Sequence, residues 1–278
     1  MTMTALTTSL EDLITEAGGA AKLLRTNSDG IPAEGYAATP VEFTNWRDEQ
    51  RAWKDGVALL ELSFFMTELH VRGPQAIDFL RVMTINKLGP SKGMRPKQLV
   101  LAGHDGYQLA DGICFHEEDD FYRIVGLSPV IDEWVLYNAA TSDLDFTIER
   151  KDLTQREVFR MQVQGPHALD LVSEVAEGSL PEISFFGIGE FQIAGVTVRA
   201  LRHGMAGTAG FEIYGPISEH TRVRDALIAA GKKYGLRRVG DYAYRSTSQE
   251  SGWLPEPLPA IYHRDAFAAF RKTLGADS

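Results

Sequence analysis

One stretch of the chain is written twice, and that constrains the fold more than any other feature. His70-Val71-Arg72-Gly73-Pro74-Gln75-Ala76-Ile77-Asp78-Phe79-Leu80 recurs as Gln162-Val163-Gln164-Gly165-Pro166-His167-Ala168-Leu169-Asp170-Leu171-Val172. Each copy reads as a strand, a glycine turn, a proline at the first helical position and an amphipathic helix. The order downstream also matches. Strands around 98–102, 107–115 and 121–125, a helix over 129–140 and a strand at 145–149 follow the first copy. Strands around 191–193, 196–202 and 211–214 and a helix over 219–234 follow the second. The pattern predicts an α+β protein built from two ferredoxin-like, βαββαβ-type units back to back. A charged, turn-like stretch at 148–155 divides them. Upstream, residues 9–24 have helical spacing and 26–40 form a Gly/Pro/Ala-rich loop. Residues 41–60 read as a helix capped by Thr44 or Asn45, with Trp46 and Trp53 on one face as core.

Composition narrows the function. A net charge of −10 excludes the basic face that nucleic acid requires. No run of about 18 apolar residues is present to span a membrane, and residues 1–15 lack the features of a signal peptide. The single cysteine, Cys114, sits between apolar neighbours as a small buried hydrophobe. It fits a reducing compartment, so a cytoplasmic location is expected.

Most catalytic signatures are missing. There is no G-x-S-x-G, H-E-x-x-H or C-x-x-C. His116 beside Glu117, Glu118, Asp119 and Asp120 reads as a solvated hairpin turn, and no metal site is expected. The glycine-rich 204–210 stretch lacks the Gly-Lys-Ser/Thr ending and helix of a phosphate loop. It either lets backbone approach a flat ligand or makes a wide turn.

Polar residues inside strands carry more information. Alternation in Met161-Gln162-Val163-Gln164 puts both glutamines on one face. Glu212 interrupts the apolar strand Phe211–Tyr214, a costly place for a carboxylate unless it is hydrogen-bonded or faces water on an edge strand. A pterin offers adjacent N–H donors that a carboxylate can accept.

With Val163-Gln164-Gly165-Pro166, Arg202-His203-Gly204, Phe211-Glu212-Ile213-Tyr214 and Glu250-Ser251-Gly252 in view, the chain resembles the glycine-cleavage T-protein (aminomethyltransferase) superfamily. Residues 42–53, 201–207 and 243–253 make it most similar to tetrahydrofolate-dependent aryl O-demethylases acting on vanillate and syringate. The resemblance implies three domains around a channel that folate enters. A folate-binding domain would comprise 1–60 and 155–257, and a second domain 61–154. Residues 258–278 would lead toward a C-terminal β-barrel domain absent from this chain.

The same resemblance makes Glu212 the pterin-recognising glutamate and Trp253 an aromatic of the folate pocket, with Gln162 and Gln164 beside them. It gives Tyr244 the role of catalytic tyrosine, where aminomethyltransferases carry arginine in Gly-Ala-Arg-Asp. Tyr36, Phe65 and Leu127 fall at substrate-binding positions. Phe65 stands in place of a histidine and Leu127 in place of the arginine that holds a substrate carboxylate, which implies a less polar methoxyaromatic or another methyl donor. A phenol acid with a pKa near 10 suits a departing phenol. The implied activity is transfer of a methyl group from a methoxyaromatic to tetrahydrofolate. The alternatives are a non-catalytic folate-binding or regulatory protein, and aminomethyl-type one-carbon transfer.

Overall fold

The computed structural model describes residues 10–16, 18–19, 40–63, 66–89, 95–103, 106, 108–151 and 155–252. Tyr36, Phe65, Trp253, the 26–39 part of the upstream loop and the 258–278 segment lie outside these. Of the first expected helix, Leu10–Glu16 (α1) is described.

The expected 41–60 helix is replaced by two four-residue helices, Trp46–Glu49 (α2) and Ala52–Asp55 (α3), and then a strand, Val57–Glu61 (β1). Asn45 caps α2, its side chain accepting from the Arg47 amide. Gly56 breaks the run, because a Cβ there would lie 2.8 Å from the Gly235 carbonyl oxygen. Every residue of β1 is buried between two other strands, and that pairing overrides helical spacing. Trp53 is fully buried in the core, as expected, while Trp46 packs at its margin.

Two sheets follow. The first contains Thr67–Arg72 (β2), Lys97–Ala102 (β3), Gln108–Glu118 (β4), Phe121–Gly126 (β5) and Thr147–Arg150 (β6), in the order β3-β4-β5-β2-β6. Helices Ala76–Met83 (α4) and Pro129–Ala139 (α5) pack on one side, with Leu69, Val71, Leu80, Leu99, Ile124 and Trp134 in the shared core. The second sheet contains Val158–Gln164 (β7), Ile188–Ile193 (β8), Val196–Arg202 (β9), Gly210–Pro216 (β10) and Leu236–Val239 (β11). Its order is β11-β1-β7-β10-β9-β8. Helices Ala168–Val175 (α6) and His220–Gly231 (α7) cover its outer side around Val57, Met161, Val163, Ile213 and Leu227.

Apart from β1, inserted between β7 and β11, the two strand orders correspond position for position. Three strands, not two, lie between the helices of each half, so the βαββαβ string is not reproduced strand for strand. Pro74 and Pro166 sit in turns two residues ahead of α4 and α6, not at the first helical position. The glycine before each proline has φ of +135° or +130°, open to glycine alone without strain.

Cys114 lies in the first core, where burial pushes its thiol up to about 12 and leaves it unreactive. The expected solvated 116–120 turn is met only in part: Asp119 and Asp120 form the turn, with Asp120 at φ +58°, while His116 to Glu118 continue β4 and Glu117 pairs inward with Arg123 and Arg199. Among the described residues, no group of three His, Cys, Asp or Glu could hold a metal ion. None of the described helices is long and apolar enough to cross a membrane.

Candidate functional site

The inner sides of the two sheets face each other across a third buried cluster that contains Phe115 and Val125 from one sheet and Leu60, Leu201 and Tyr214 from the other. Period-two alternation sends Arg160, Gln162 and Gln164 of β7 to this inner side, while Phe159, Met161 and Val163 go to the helix-covered core. Register then adds neighbours. Gly210, Glu212 and Tyr214 of β10 stand opposite Gln164, Gln162 and Arg160 respectively.

Glu212 is buried on an interior strand, so the edge-strand alternative fails. Its carboxylate accepts from Arg160 Nη1 at 2.6 Å and lies 3.3 Å from His203 Nε2. Burial raises its pKa, but the His203 hydrogen bond and the Arg160 charge outweigh that and hold it below the usual carboxylate range. Arg160 is itself buried, its guanidinium packed on one side of the edge-to-face pair of rings Phe115 (4.6 Å) and Tyr214 (4.8 Å).

The two glutamines are half used. Gln162 Nε2 donates to the His203 carbonyl at 3.0 Å, and Gln164 Oε1 accepts from the Met205 amide at 3.1 Å. Gln162 Oε1, Gln164 Nε2, and Nε and Nη2 of Arg160 are buried with no hydrogen-bond partner among the described residues. Unpartnered buried polar atoms on one sheet face are what a polar ligand would satisfy.

The 204–210 loop closes on itself: a Cβ on Gly204 would sit 1.7 Å from the Thr208 carbonyl oxygen. It is a tight turn tied to β7 by the glutamine bonds and to a further helix by the Ala206 amide, which donates to Ser251 Oγ at 2.7 Å. That helix, Asp241–Ser251 (α8), carries Tyr244 into the inter-sheet cluster at 5% exposure. Its start is pinned by Glu49, whose carboxylate accepts from the amides of Phe43, Thr44 and Gly240 at 2.6–2.8 Å. Burial, then the negative charges of Glu212 and Asp241, push the Tyr244 phenol well above its ordinary value. The hydroxyl therefore stays protonated throughout the physiological range.

Glu212, Gln162 and Gln164 thus share one face, with Tyr244 near enough to feel the Glu212 charge. Leu127, on the loop after β5, is 38% exposed and outside that face. The sequence reading passed over Arg160, although it extends the Gln162/Gln164 alternation by one more step. His203 and Tyr214 were quoted only as part of longer motifs.

Comparison with known proteins identifies the family and the fold. The chain is 40% identical over 276 residues to a protein named syringate O-demethylase from Sphingobium sp. strain NBRC 103272 / SYK-6, covering 97% of this chain and 59% of that one. It is 30% identical to a sesamin methylene transferase from Sinomonas sp. strain No.22, covering 86% of this chain and 52% of that protein. An aminomethyltransferase of Thermoanaerobacter sp. strain X514 is 27% identical over 77% of this chain and 58% of its own length. The chain therefore spans roughly half to three-fifths of these relatives. The glycine cleavage system aminomethyltransferase T from Bartonella henselae superposes with a TM-score of 0.61 at 19% identity, covering 91% of this chain and 70% of that one, and so shares its fold. The GCVT N-terminal domain matches residues 25–255. With a mixed α/β fold of this kind, the chain belongs to the GCVT N-terminal domain family.

Proposed function

We propose that the chain is the folate-binding part of a tetrahydrofolate-dependent methyltransferase that removes the methyl group of a methoxyaromatic compound. One observation carries the reading. An ionised glutamate and two half-satisfied glutamines line a single buried sheet face, with a protonated tyrosine beside them. Glu212 and Gln162 Oε1 offer acceptors, and Gln164 Nε2 and Arg160 Nη2 offer donors. A pterin edge presents both kinds of group, so the residues fit it. The 40% identity to a syringate O-demethylase supports a methoxyaromatic as donor.

Tetrahydrofolate supplies the nitrogen that accepts the methyl group. Glu212, Gln162 and Gln164 orient it, and the sheets exclude water from the polar row. Tyr244 faces the developing phenolate. A phenol raised above its usual value is a weaker acid than the departing phenol, so Tyr244 acts as a hydrogen-bond donor. Tyr244 would keep its own proton, and the proton the departing phenolate takes up would be the one the folate nitrogen releases as it gains the methyl group, so the exchange balances. We assign residues 1–60 and 155–257 to the folate-binding domain and 61–154 to a second domain, a division supported by β1 pairing with β7 and β11. Trp253 would stack in the folate pocket, and Tyr36, Phe65 and Leu127 would face the methyl donor. Leu127 brings no charge there, which favours a donor less polar than a benzoate. A cytoplasmic setting suits the one buried cysteine.

The test is to incubate the protein with tetrahydrofolate and a panel of methoxyphenols and assay 5-methyltetrahydrofolate. Product is expected with at least one uncharged methoxyphenol. Folate binding without product across the panel, in a protein carrying the full length of its relatives, would sink the enzyme reading in favour of a binding protein.

A further inference from the structure

Arg160 serves in the reading above only as a spare donor, yet its guanidinium is buried in direct contact with the Glu212 carboxylate. We infer that Arg160 is a positioning residue that fixes the Glu212 carboxylate for ligand recognition and ties it to the other sheet. The inference rests on the proposed folate site.

Three observations carry it. Arg160 and Glu212 sit on adjacent strands one diagonal step apart, with Arg160 Nη1 on Glu212 Oε1 at 2.6 Å. The guanidinium is buried, and it packs on the edge-to-face rings of Phe115 from the first sheet and Tyr214 from the second at 4.6 and 4.8 Å, which restricts its movement. Only one oxygen of Glu212 takes the arginine, which leaves Oε2 with the longer His203 contact and free lone pairs toward the glutamine row. A buried arginine packed on aromatic rings is a restrained charge, and a restrained charge favours one orientation of its carboxylate partner.

The link to the first sheet is electrostatic. Glu68 of β2 acts on Arg160 through space, and the effect is mutual. The groups that face Glu212 are Arg160 on β7, His203 after β9, Tyr214 on β10 and Tyr244 on α8, with Glu68, Glu117 and Arg199 one shell further out. Of these, Arg160 alone is a permanent cation in contact with the carboxylate. Remove it and burial acts on Glu212 with only His203 to oppose it, so the carboxylate gains a proton as pH falls.

The experiment measures tetrahydrofolate affinity of the unchanged protein, Arg160→Met and Arg160→Lys between pH 5 and 8. The readout is the ratio of variant to parent Kd, in which titration of the folate itself cancels. Arg160→Met should weaken binding about 30-fold at pH 7, and the ratio should widen toward pH 5. Arg160→Lys should weaken binding less and keep the ratio level, because the charge remains. A residue that merely holds the fold would shift affinity equally at every pH. Parent-like affinity in Arg160→Met, or a level ratio, overturns the inference. Should Arg160→Met fail to fold, Arg160→Gln, which also removes the charge, decides by the same criterion: a ratio that widens toward pH 5 supports the role, and a level ratio or a parent Kd overturns it. A parent that does not bind tetrahydrofolate counts against the folate reading instead. In that case the ¹³C carboxyl titration of Glu212, assigned with Glu212→Gln, tests Arg160 directly. A midpoint higher in Arg160→Met than in the parent supports the clamp, and an unchanged midpoint overturns it.

Discussion

The two inner sheet faces are built on one plan with the charges exchanged. On β2 and β5, Glu68 precedes His70, which stands opposite Arg123. On β7 and β10, the corresponding positions are Arg160, Gln162 and Glu212. The first face spends its carboxylate on structure. Glu68 contacts His70 at 2.8 Å, Arg156 at 3.2 Å and Arg123 at 3.6 Å, and Arg123 reaches on to Glu117 at 3.2 Å. The second face gives its carboxylate one arginine and one distant histidine, and places two amides beside it with atoms to spare. The same strand-glycine-helix unit therefore makes a buried ionic cluster around Glu68 in one half and, in the function proposed above, a recognition surface in the other. The difference lies in three inward positions, not in the backbone.

The largest effect that would sharpen this contrast is on turnover. Tyr244→Phe keeps the ring in its cluster but removes the donor, and should lower the methyl-transfer rate by about 10²–10⁴-fold while leaving tetrahydrofolate affinity near that of the parent. Equal losses in rate and affinity would move Tyr244 from the chemistry to the binding face.

Next comes the Glu68 face. Glu68→Ala strands Arg123 and Arg156 without their shared counter-charge and should cost about 3–5 kcal/mol in urea unfolding. Glu212→Gln should show the reverse pattern, with affinity falling more than stability. Matching patterns for the two substitutions would erase the distinction between the faces.

Acid should distinguish Glu68 from Asp132 on α5. Burial raises the Glu68 pKa, but the His70 hydrogen bond and the charges of Arg160, Arg123 and Arg156 lower it to about 2. Its folded value lies below its unfolded one, so its stabilisation, on the order of 3 kcal/mol, is present above about pH 4.3 and is lost as pH falls toward 2. Asp132 is pushed the other way, to about 6, by burial that Arg150 only partly offsets. Its folded value is raised, so its contribution is full below about pH 3.9 and is lost as pH rises through 6. Urea midpoints should therefore rise on acidification from pH 7 to about 5 and collapse below 4. Asp132→Asn should flatten the rise, and Glu68→Gln should flatten the collapse.

The smallest effect tests the shared plan itself. Gly73→Ala and Gly165→Ala each put a Cβ at a positive φ, 2.7 Å from the Phe146 Cα and 2.4 Å from the Gly56 carbonyl oxygen respectively. Both should lose about 1–3 kcal/mol, and a cost at only one would show that the two turns are not equivalent.

Much of this was legible in the chain. The doubled strand-Gly-Pro-helix unit, the β3–β5 and β8–β10 strands and the 119–120 turn could all be read from periodicity and turn chemistry. Spacing alone put Gln162 and Gln164 on one face. The 41–60 stretch misled because its apolar residues suit either a helix or a buried strand, and no local signal chooses between them. The pairing of Val57–Glu61 with strands more than a hundred residues away does.

By itself, the sequence determined where chain direction and side-chain face alternate, because these depend on near neighbours. It also narrowed Glu212 to a hydrogen-bonded partner or an edge facing water, because an unpaired buried carboxylate is too costly to keep. Only the tertiary structure decided who that partner is. Arg160 is far from Glu212 in sequence and adjacent to it only through the β7–β10 register, and one of the two rings it packs on, Phe115, comes from the opposite sheet. Contacts of that kind follow from how two sheets stack, and no local pattern in the chain encodes them.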